Sequence, residues 1–205
     1  VGAPTDTVYG IAADAGSNEA VQRLFEVKGR DKNKPVSISV ASVENIARYG
    51  NTTGLPDGLL QKLFPGKVTV VLKVREGAAL SKFINPLGNS TIGIRVPGAD
   101  PNVMTRRQGF SFCRELAASV NGAIALTSAN PSGQTSATTP RQFASLWGSL
   151  AYVFDGGELE STAGSTVVDL SRVCKGEGYR ILRDGCARSE VLHTNLPGLK
   201  HTKAR

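Results

Sequence analysis

The stretch KVTVVLKVREGAALSKFINPLGNSTIGIRV, from Lys67 to Val96, decides the fold because it holds two strand patterns in succession. KVTVVLKV (Lys67–Val74) and TIGIRV (Thr91–Val96) are rich in β-branched residues, and each is bounded by glycine or proline. No helical pattern is predicted between them, whereas a doubly wound α/β fold places a helix between successive strands. The stretch therefore favours an α+β fold with a mixed, twisted sheet.

Further helix and strand patterns surround this pair in an irregular order. Asn18 begins an amphipathic helix pattern that Gly29 ends, so Lys28 falls in its last turn. Other helices are predicted at residues 42–49, 55–63, 112–120 and 140–147. Other strands are predicted at residues 36–40, 123–127, 151–154, 165–170 and 179–182. The irregular alternation supports the same α+β class.

Length and composition indicate one soluble domain. The chain has 205 residues, of which 40% are hydrophobic and 20% charged, enough for one core and small for two. We expect the domain to span residues 1–188, and the basic segment 189–205 to be a mobile tail. The net charge of +7 suits a phosphate-bearing substrate or a transient RNA contact, and falls short of a dedicated nucleic-acid binder.

Cysteine and histidine usage excludes several kinds of site. Cys113, Cys174 and Cys186 are odd in number and lack C-x-x-C spacing, which argues against a disulfide framework or a cysteine zinc site and favours a reducing compartment. The only histidines, His193 and His201, lie in the predicted tail, so the core has no Ser-His-Asp triad, Cys-His pair or histidine-bound metal. No apolar run reaches the ~18 residues of a membrane span.

Four stretches carry residues suited to binding, and each also has a purely structural interpretation. APTDTVYG (Ala3–Gly10) is either a hydroxyl-rich ligand site or a Ser/Thr turn. KGRDKNK (Lys28–Lys34) is either a phosphate site at a helix end or a solvated surface. TSANPSG (Thr127–Gly133) is either a ligand loop after a buried strand or a capped turn. In ILRDG (Ile181–Gly185) the arginine at the strand end either clamps an anion or is a surface charge.

Two common nucleotide signatures are absent from the sequence. It contains no G-x-x-x-x-G-K-[ST] phosphate loop and no G-x-G-x-x-G dinucleotide motif. A bound triphosphate would therefore be held by side chains scattered along the chain.

Taken in order, eight short motifs resemble one family. They are PTDTVYG, KGR…KP, FPGKVTVVL, GIRVP, LTSANPSG, FDGG, GSTVVDL and ILRDG, running from Ala3 to Arg188. Together they resemble the YrdC family of threonylcarbamoyl-adenylate synthases, which begin N6-threonylcarbamoyladenosine formation on tRNA. The resemblance implies a YrdC-like twisted, largely antiparallel open sheet around a concave basic cavity. Nothing after Arg188 resembles the second domain of longer members, so we expect the short form.

The resemblance also implies which residues bind substrates. The core of the ATP site, and its catalytic set, would be Lys28, Arg30, Ser128 and Asn130. Further ATP contacts would be Lys34, Thr91, Ser136 and Arg183. L-Threonine would meet Thr7, Arg95, Leu126 and Ser165, with Ser39 standing where many bacterial members have a histidine. A magnesium ion would accompany ATP, and no protein ligand is assigned to it.

The sequence departs from the family pattern at three further places. The usual RPG is RDG here, which keeps Arg183 and changes the turn at Asp184. TRRQGF (Thr105–Phe110) is extra length whose cations could contact RNA. Relatives have a helix and a strand before the first motif, so we expect part of the sheet edge to be missing from a chain that begins at Val1.

The implied activity makes threonylcarbamoyl-AMP and pyrophosphate from L-threonine, bicarbonate or CO2, and ATP, as a nucleotidyltransferase. Implied partners are the downstream tRNA threonylcarbamoyl transferase complex and tRNA or double-stranded RNA, in the cytoplasm or the mitochondrion. Two alternatives stay open. One is a non-catalytic RNA-binding or ribosome-assembly module, although no aromatic residue interleaves with the cations of KGRDKNK (Lys28–Lys34). The other is a carbamoyl-adenylate enzyme of the hydrogenase-maturation type, which threonine dependence would separate.

Overall fold

One open eight-stranded sheet organises the molecule. The structure is a computed structural model that describes residues 1–31, 33–86, 88, 90–98, 111–131, 133–160, 162–187, 196 and 198–202. Its strands are β1 (Gly2–Ala3), β2 (Gly10–Asp14), β3 (Ile38–Val40), β4 (Val68–Lys73), β5 (Thr91–Arg95), β6 (Ala123–Ser128), β7 (Thr166–Asp169) and β8 (Arg180–Arg183). Its α-helices are α1 (Asn18–Lys28), α2 (Leu59–Leu63) and α3 (Phe112–Ser119), and its 3₁₀ segments are Glu44–Arg48, Pro140–Ser149 and Val173–Lys175.

The strand order is β1-β2-β6-β3-β5-β4-β7-β8, with both antiparallel and parallel neighbours. The pairs β3–β5 and β4–β7 are parallel. The remaining neighbours are antiparallel, including β4 and β5, which the opening stretch places in succession. The predicted α+β class with an open, mixed and largely antiparallel sheet is therefore confirmed.

Alternation along the central strands separates a core face from a polar face. Val70, Leu72 and Ile94 are almost fully buried in the main core. Because successive side chains of a strand point to opposite faces, the intervening residues point away from that core. These residues are Thr69, Val71, Lys73, Thr91, Gly93 and Arg95.

Helix α3 covers only part of the polar face. It packs against β3 and β6, and its Cys113 and Ala117 form a small second cluster with Ile124 and Leu126 of β6. The part of the face on β4, β5 and β7 carries no such helix among the described residues. This uneven cover leaves room for a cavity beside Leu126.

Helix α1 begins and ends with identifiable caps. The helix begins at Asn18, as predicted, and its N-cap is Ser17, whose hydroxyl accepts a hydrogen bond from the amide of Ala20 at 3.2 Å. Asn18 accepts a hydrogen bond from the hydroxyl of Ser81 at 2.8 Å. Gly29 ends the helix with φ = 56°, a left-handed conformation that glycine adopts without steric cost. This stop places Lys28 at the C-terminal end of α1, as predicted.

Several predicted elements are shorter than their patterns indicate. Residues 42–49 form only the 3₁₀ segment Glu44–Arg48, and residues 55–63 are helical only in α2. The strand predicted at residues 151–154 is reduced to an isolated bridge between Val153 and Gly2. It is short because β1, the strand beside it in the described part of the chain, has two residues and offers one amide and one carbonyl, at Gly2.

The described part of the predicted tail packs against the domain. Leu196 is 2% exposed and belongs to the main core. The amide of Tyr179 donates to the carbonyl of Lys200 at 2.9 Å, and the amide of Thr202 donates to the carbonyl of Tyr179 at 2.9 Å. The mobility expected of residues 189–205 stays a prediction, and the described residues among them contact the domain. Residues 188–195 and the segment Thr105–Phe110 lie outside the described residues.

Candidate active site

A cavity of about 370 Å³ opens on the polar face, where Thr69, Arg95 and Leu126 line it. Its walls come from the loop before β2, the segment before β3, the end of β6 and the paired strands β7 and β8. It gathers residues that are far apart in the sequence. The predicted substrate contacts that line it are Thr7, Arg30, Arg95, Leu126, Ser128, Ser136, Ser165 and Arg183.

Lys28 lies beneath the cavity wall and is 4% exposed. Its Nζ donates a hydrogen bond to the carbonyl oxygen of Ser128 and approaches the Ser128 hydroxyl at 3.5 Å. Burial, with the nearby charge of Arg30, lowers the pKa of Lys28 to about 8. The C-terminal end of α1 and the end of β6 are thereby joined through one ammonium group.

Arg30 reaches the cavity from just beyond Gly29. Its Nη2 donates to the carbonyl oxygen of Pro35 at 2.8 Å, while its buried Nε has no hydrogen-bond partner among the described residues. Burial lowers the pKa of Arg30 from its ordinary value, but the group stays a cation at neutral pH. Lys34, by contrast, is exposed and does not line the cavity.

Arg183 and Ser165 form the opposite wall. The Nε and Nη2 atoms of Arg183 donate to the carbonyl oxygen of Ser165 at 3.1 and 2.7 Å. The hydroxyls of Ser165 and Thr69 lie 2.7 Å apart, which ties this wall to the polar face of β4. Burial, followed by the charge of Arg95, lowers the pKa of Arg183. The positive charges of Arg95 and Arg183 therefore repel each other in this cavity.

Arg95 is held at the floor of the cavity by Asp6. Its Nη2 donates to the Asp6 carboxylate in a buried ion pair, and its Nη1 approaches the Thr7 hydroxyl at 3.4 Å. Thr7 is fixed in turn by Thr5, whose hydroxyl lies 3.0 Å from that of Thr7 and donates to the carbonyl of Val8 at 2.7 Å. The PTDT motif thus forms a Ser/Thr turn and also contributes Thr5 and Thr7 to the cavity wall, while its role as a ligand site stays a prediction.

Two further predicted residues lie next to the cavity rather than on its wall. Ser39 is the register partner of Arg95 on β3, is 0% exposed, and has a hydroxyl without a partner among the described residues. Asn130 closes the loop after β6, with its Nδ2 donating to the carbonyls of Pro131 at 3.0 Å and Gln134 at 2.6 Å. The Asn130 side chain therefore shapes the loop that follows Ser128.

Thr91 lies at the far end of β5, outside the first cavity. Ile38 pairs with both Ala125 of β6 and Ile94 of β5. Ser128 and Thr91 each lie three residues from these partners, toward the N-terminal end of β3. Ser128 and Thr91 therefore lie opposite the same position just before β3, on the polar face of the sheet. Because β3 lies between their strands, two strand spacings, or about 10 Å, separate them. Thr91 borders a second polar cavity of about 480 Å³ on that face, with Lys73 and Arg180.

The sequence patterns missed Asp6, Thr5 and Thr69 as parts of this site. Asp6 and Thr5 lie within APTDTVYG (Ala3–Gly10), one of the four stretches suited to binding. No spacing in the sequence, however, indicates that a carboxylate will lie within a basic site. Thr69 is the polar residue within the first strand pattern of KVTVVLKV (Lys67–Val74), and its alternation with buried valines marks it as facing away from the core.

The described residues contain neither a helix long and apolar enough to cross a membrane nor a group of three or more His, Cys, Asp or Glu side chains placed to hold a metal ion. Among the described residues that line the first cavity, Asp184 is the one carboxylate. The side chains that face a ligand there are mainly guanidinium groups and hydroxyls. Such a set favours an anionic ligand rich in oxygen atoms.

Comparison with known proteins agrees with this geometry. The Sua5/YciO/YrdC family model, described as "Telomere recombination", matches residues 1–185. Proteins named threonylcarbamoyl-AMP synthase from Bos taurus and Homo sapiens are each 38% identical to the chain over 193 residues, or 91% of this chain and 63% of theirs. The solved structure of P. abyssi Sua5 complexed with L-threonine superimposes with a TM-score of 0.80 at 29% identity, covering 98% of this chain and 54% of that one.

The chain spans 63% of the length of these two curated relatives, so they include residues that have no counterpart here. The match nevertheless extends over the whole sheet and over every motif that lines the cavity. The chain belongs to the Sua5/YciO/YrdC family.

Proposed function

We propose that the cavity binds ATP and L-threonine, and that the protein is an L-threonylcarbamoyladenylate synthase that uses bicarbonate or CO2 as its carbon source. The names of the Bos taurus and Homo sapiens relatives support the activity, and the complex of the P. abyssi protein with L-threonine supports the amino acid. The product would serve a tRNA threonylcarbamoyl transferase, which makes that complex and its tRNA the expected partners.

The observation that carries the proposal is the convergence of three arginines on one cavity. Arg30, Arg95 and Arg183 line it from three different segments, and Lys28 lies directly beneath it. Guanidinium groups bind carboxylates and phosphates through paired hydrogen bonds, and these are the two anions that an amino acid and ATP supply. The cavity therefore has the charge for both substrates at once.

The two substrates are assigned to different levels of the polar face. Arg95 lies at the level of Ser39, beside Thr7 and Ser165, where an amino acid would meet one guanidinium and several hydroxyls. ATP is assigned to the level of Ser128, next to Lys28 and Arg30. Thr91 lies at that same level, within the length of an extended nucleotide, which supports its assignment to ATP even though it lies outside the first cavity.

The reaction we propose needs no protein nucleophile. The threonine amine adds to CO2 and loses a proton, giving a carbamate. A carbamate oxygen then attacks the α-phosphorus of ATP, the bond to the bridging oxygen breaks, and pyrophosphate leaves. Lys28, Arg30 and Arg183 would neutralise charge that develops on the phosphates, which is a preorganised electrostatic role. Ser128 and Asn130 would orient the nucleotide, consistent with catalysis by positioning.

A magnesium ion is assigned no protein ligands in this scheme. Asp184, the one carboxylate among the described lining residues, is exposed at the rim and does not form a ligand set by itself. We therefore treat the ion as part of the MgATP substrate, where it would neutralise phosphate charge.

The proposal is tested by pyrophosphate release from MgATP. Release is expected to require both L-threonine and bicarbonate, and to fall strongly when L-serine replaces L-threonine. Release that ignores threonine but needs another carbamoyl donor would favour the hydrogenase-maturation type of chemistry. No release in any mixture from a folded sample, together with RNA binding that weakens steeply with salt, would contradict the proposal and favour an RNA-binding module.

The lowered pKa of Lys28 predicts how ATP binding depends on pH. Because its pKa is about 8, Lys28 is mostly charged at pH 7 and mostly neutral at pH 9. The protonated form is the one that attracts phosphate, so ATP affinity should be full below the pKa and should fall roughly tenfold from pH 7 to pH 9. Calorimetric titration with MgATP measures the effect.

The matched variant is Lys28→Arg, since arginine stays charged over this range. Its ATP affinity should change far less between pH 7 and pH 9, whatever its absolute value. Equal slopes for the wild type and this variant would show that another group titrates.

A further inference from the structure

Asp6 is an almost completely buried carboxylate beside the cavity. Its side chain is 1% exposed. One oxygen accepts the hydrogen bond from Arg95 Nη2, and the other accepts one from the backbone amide of Gly98 at 3.1 Å. Asp6 is absent from the cavity wall, so it does not face a ligand directly.

Stability alone does not account for this arrangement. Taking two charges out of water is costly, and the attraction between them offsets that cost only when the geometry is good. Burial raises the pKa of Asp6, while the charge of Arg95 and the amide of Gly98 oppose that rise. A buried ion pair of this kind contributes little to stability compared with apolar side chains of similar volume.

The contacts of Asp6 determine how Arg95 is presented. Asp6 engages Nη2, and Thr7 lies 3.4 Å from Nη1. The Nε of Arg95 is buried and has no hydrogen-bond partner among the described residues. Since a guanidinium is planar with five donors in fixed directions, two fixed nitrogens set the directions of all the remaining donors.

We infer that Asp6 is a positioning residue that fixes the plane of the Arg95 guanidinium, so that its remaining donors receive the carboxylate of the amino-acid substrate. The inference rests on the proposed function, which assigns that carboxylate to Arg95. Asp6 acts only through Arg95, because two-point recognition of a carboxylate depends on the angle of the fork as well as on its charge.

The experiment compares two ligands that differ only at the carboxylate. Binding of L-threonine and of L-threoninamide, which carries a neutral amide, is measured by calorimetry without bicarbonate so that no reaction occurs. The wild type should prefer L-threonine by about tenfold or more, because a charge-assisted pair is lost with the amide. Asp6→Asn should bring that preference below about threefold while ATP affinity stays within about twofold.

Each outcome of this comparison has a distinct meaning. If the wild type binds neither ligand, the proposed function fails. If the wild type prefers L-threonine and Asp6→Asn keeps the full preference, the positioning role of Asp6 is overturned. The control Asp57→Asn makes the same chemical change at an exposed site and should leave both affinities unchanged.

A second variant covers the case in which Asp6→Asn does not fold, judged by the loss of a cooperative thermal transition and of ATP binding. Asp6→Glu keeps the buried charge but moves the carboxylate by one methylene. It should lower the preference for L-threonine over the amide in the same direction. A preference equal to that of the wild type would overturn the inference.

Discussion

Replacing Arg30 with alanine should lower kcat/KM for ATP roughly 10- to 100-fold, with the KM for L-threonine nearly unchanged. The reason is the loss of charge-assisted hydrogen bonds to phosphate, each worth about 1.5 to 3 kcal/mol, where about 1.4 kcal/mol corresponds to a factor of ten. Steady-state pyrophosphate release with each substrate varied in turn measures both constants.

Arg75→Ala is a matched control for this change. Arg75 is also an arginine that donates to a backbone carbonyl, that of Ala47 at 2.7 Å, but it lies away from the cavity. Its removal should leave kcat/KM for ATP within about twofold, as for a surface substitution. Equal losses in the Arg30 and Arg75 variants would mean that the effect is structural, and a wild-type rate for Arg30→Ala would contradict the phosphate assignment.

Replacing Gly185 with alanine should destabilise the fold by about 3 kcal/mol, near the upper end for overpacking. An added Cβ would lie 2.4 Å from the carbonyl oxygen of Gly164 and 2.6 Å from that of Ser165. These are backbone atoms of the cavity wall, so no side-chain rotation relieves the overlap. For a domain of this size, the thermal midpoint should fall by roughly 6 to 12 °C.

The matched control is Gly148→Ala, because an added Cβ there meets nothing within 4 Å. Its thermal midpoint should stay within about 2 °C of the wild type, since a glycine-to-alanine change without strain is neutral or slightly stabilising. Gly185→Ala should also weaken L-threonine binding, because it displaces Ser165. A normal midpoint for Gly185→Ala would mean that the segment after β8 has more room than its contacts indicate.

Sheet class and core alternation were predictable from sequence, since both depend on local patterns. The strands β4 and β5 and the helix α1 have clear periodicity, and their buried positions match it. The strand at residues 151–154 was not predictable in its true form, because its length depends on the two-residue partner β1. The burial of Leu196 was not predictable for a similar reason: the place that its side chain occupies exists only in the folded domain.

The sequence predicted which cations and hydroxyls belong to the candidate site better than it predicted how they are arranged in space. Motif order indicated Arg30, Arg95 and Arg183, and all three reach one cavity. The role of Asp6 depends on a contact with Arg95, 89 positions away in the chain, and no local pattern reports such a contact. Likewise, the common level of Thr91 and Ser128 follows from strand register, which is a property of the sheet and not of either motif.

The packing of residues 196 and 198–202 also bears on how the protein avoids aggregation. Strand β8 is an outer strand, and the outer strand of an open sheet can recruit a strand from another molecule. Just before β8, the amide of Tyr179 already donates to Lys200 and its carbonyl already accepts from Thr202 of the same chain. Residues 200 and 202 thus occupy one position at which a strand from another molecule could be added. Aggregation that begins with such an addition is blocked at this position.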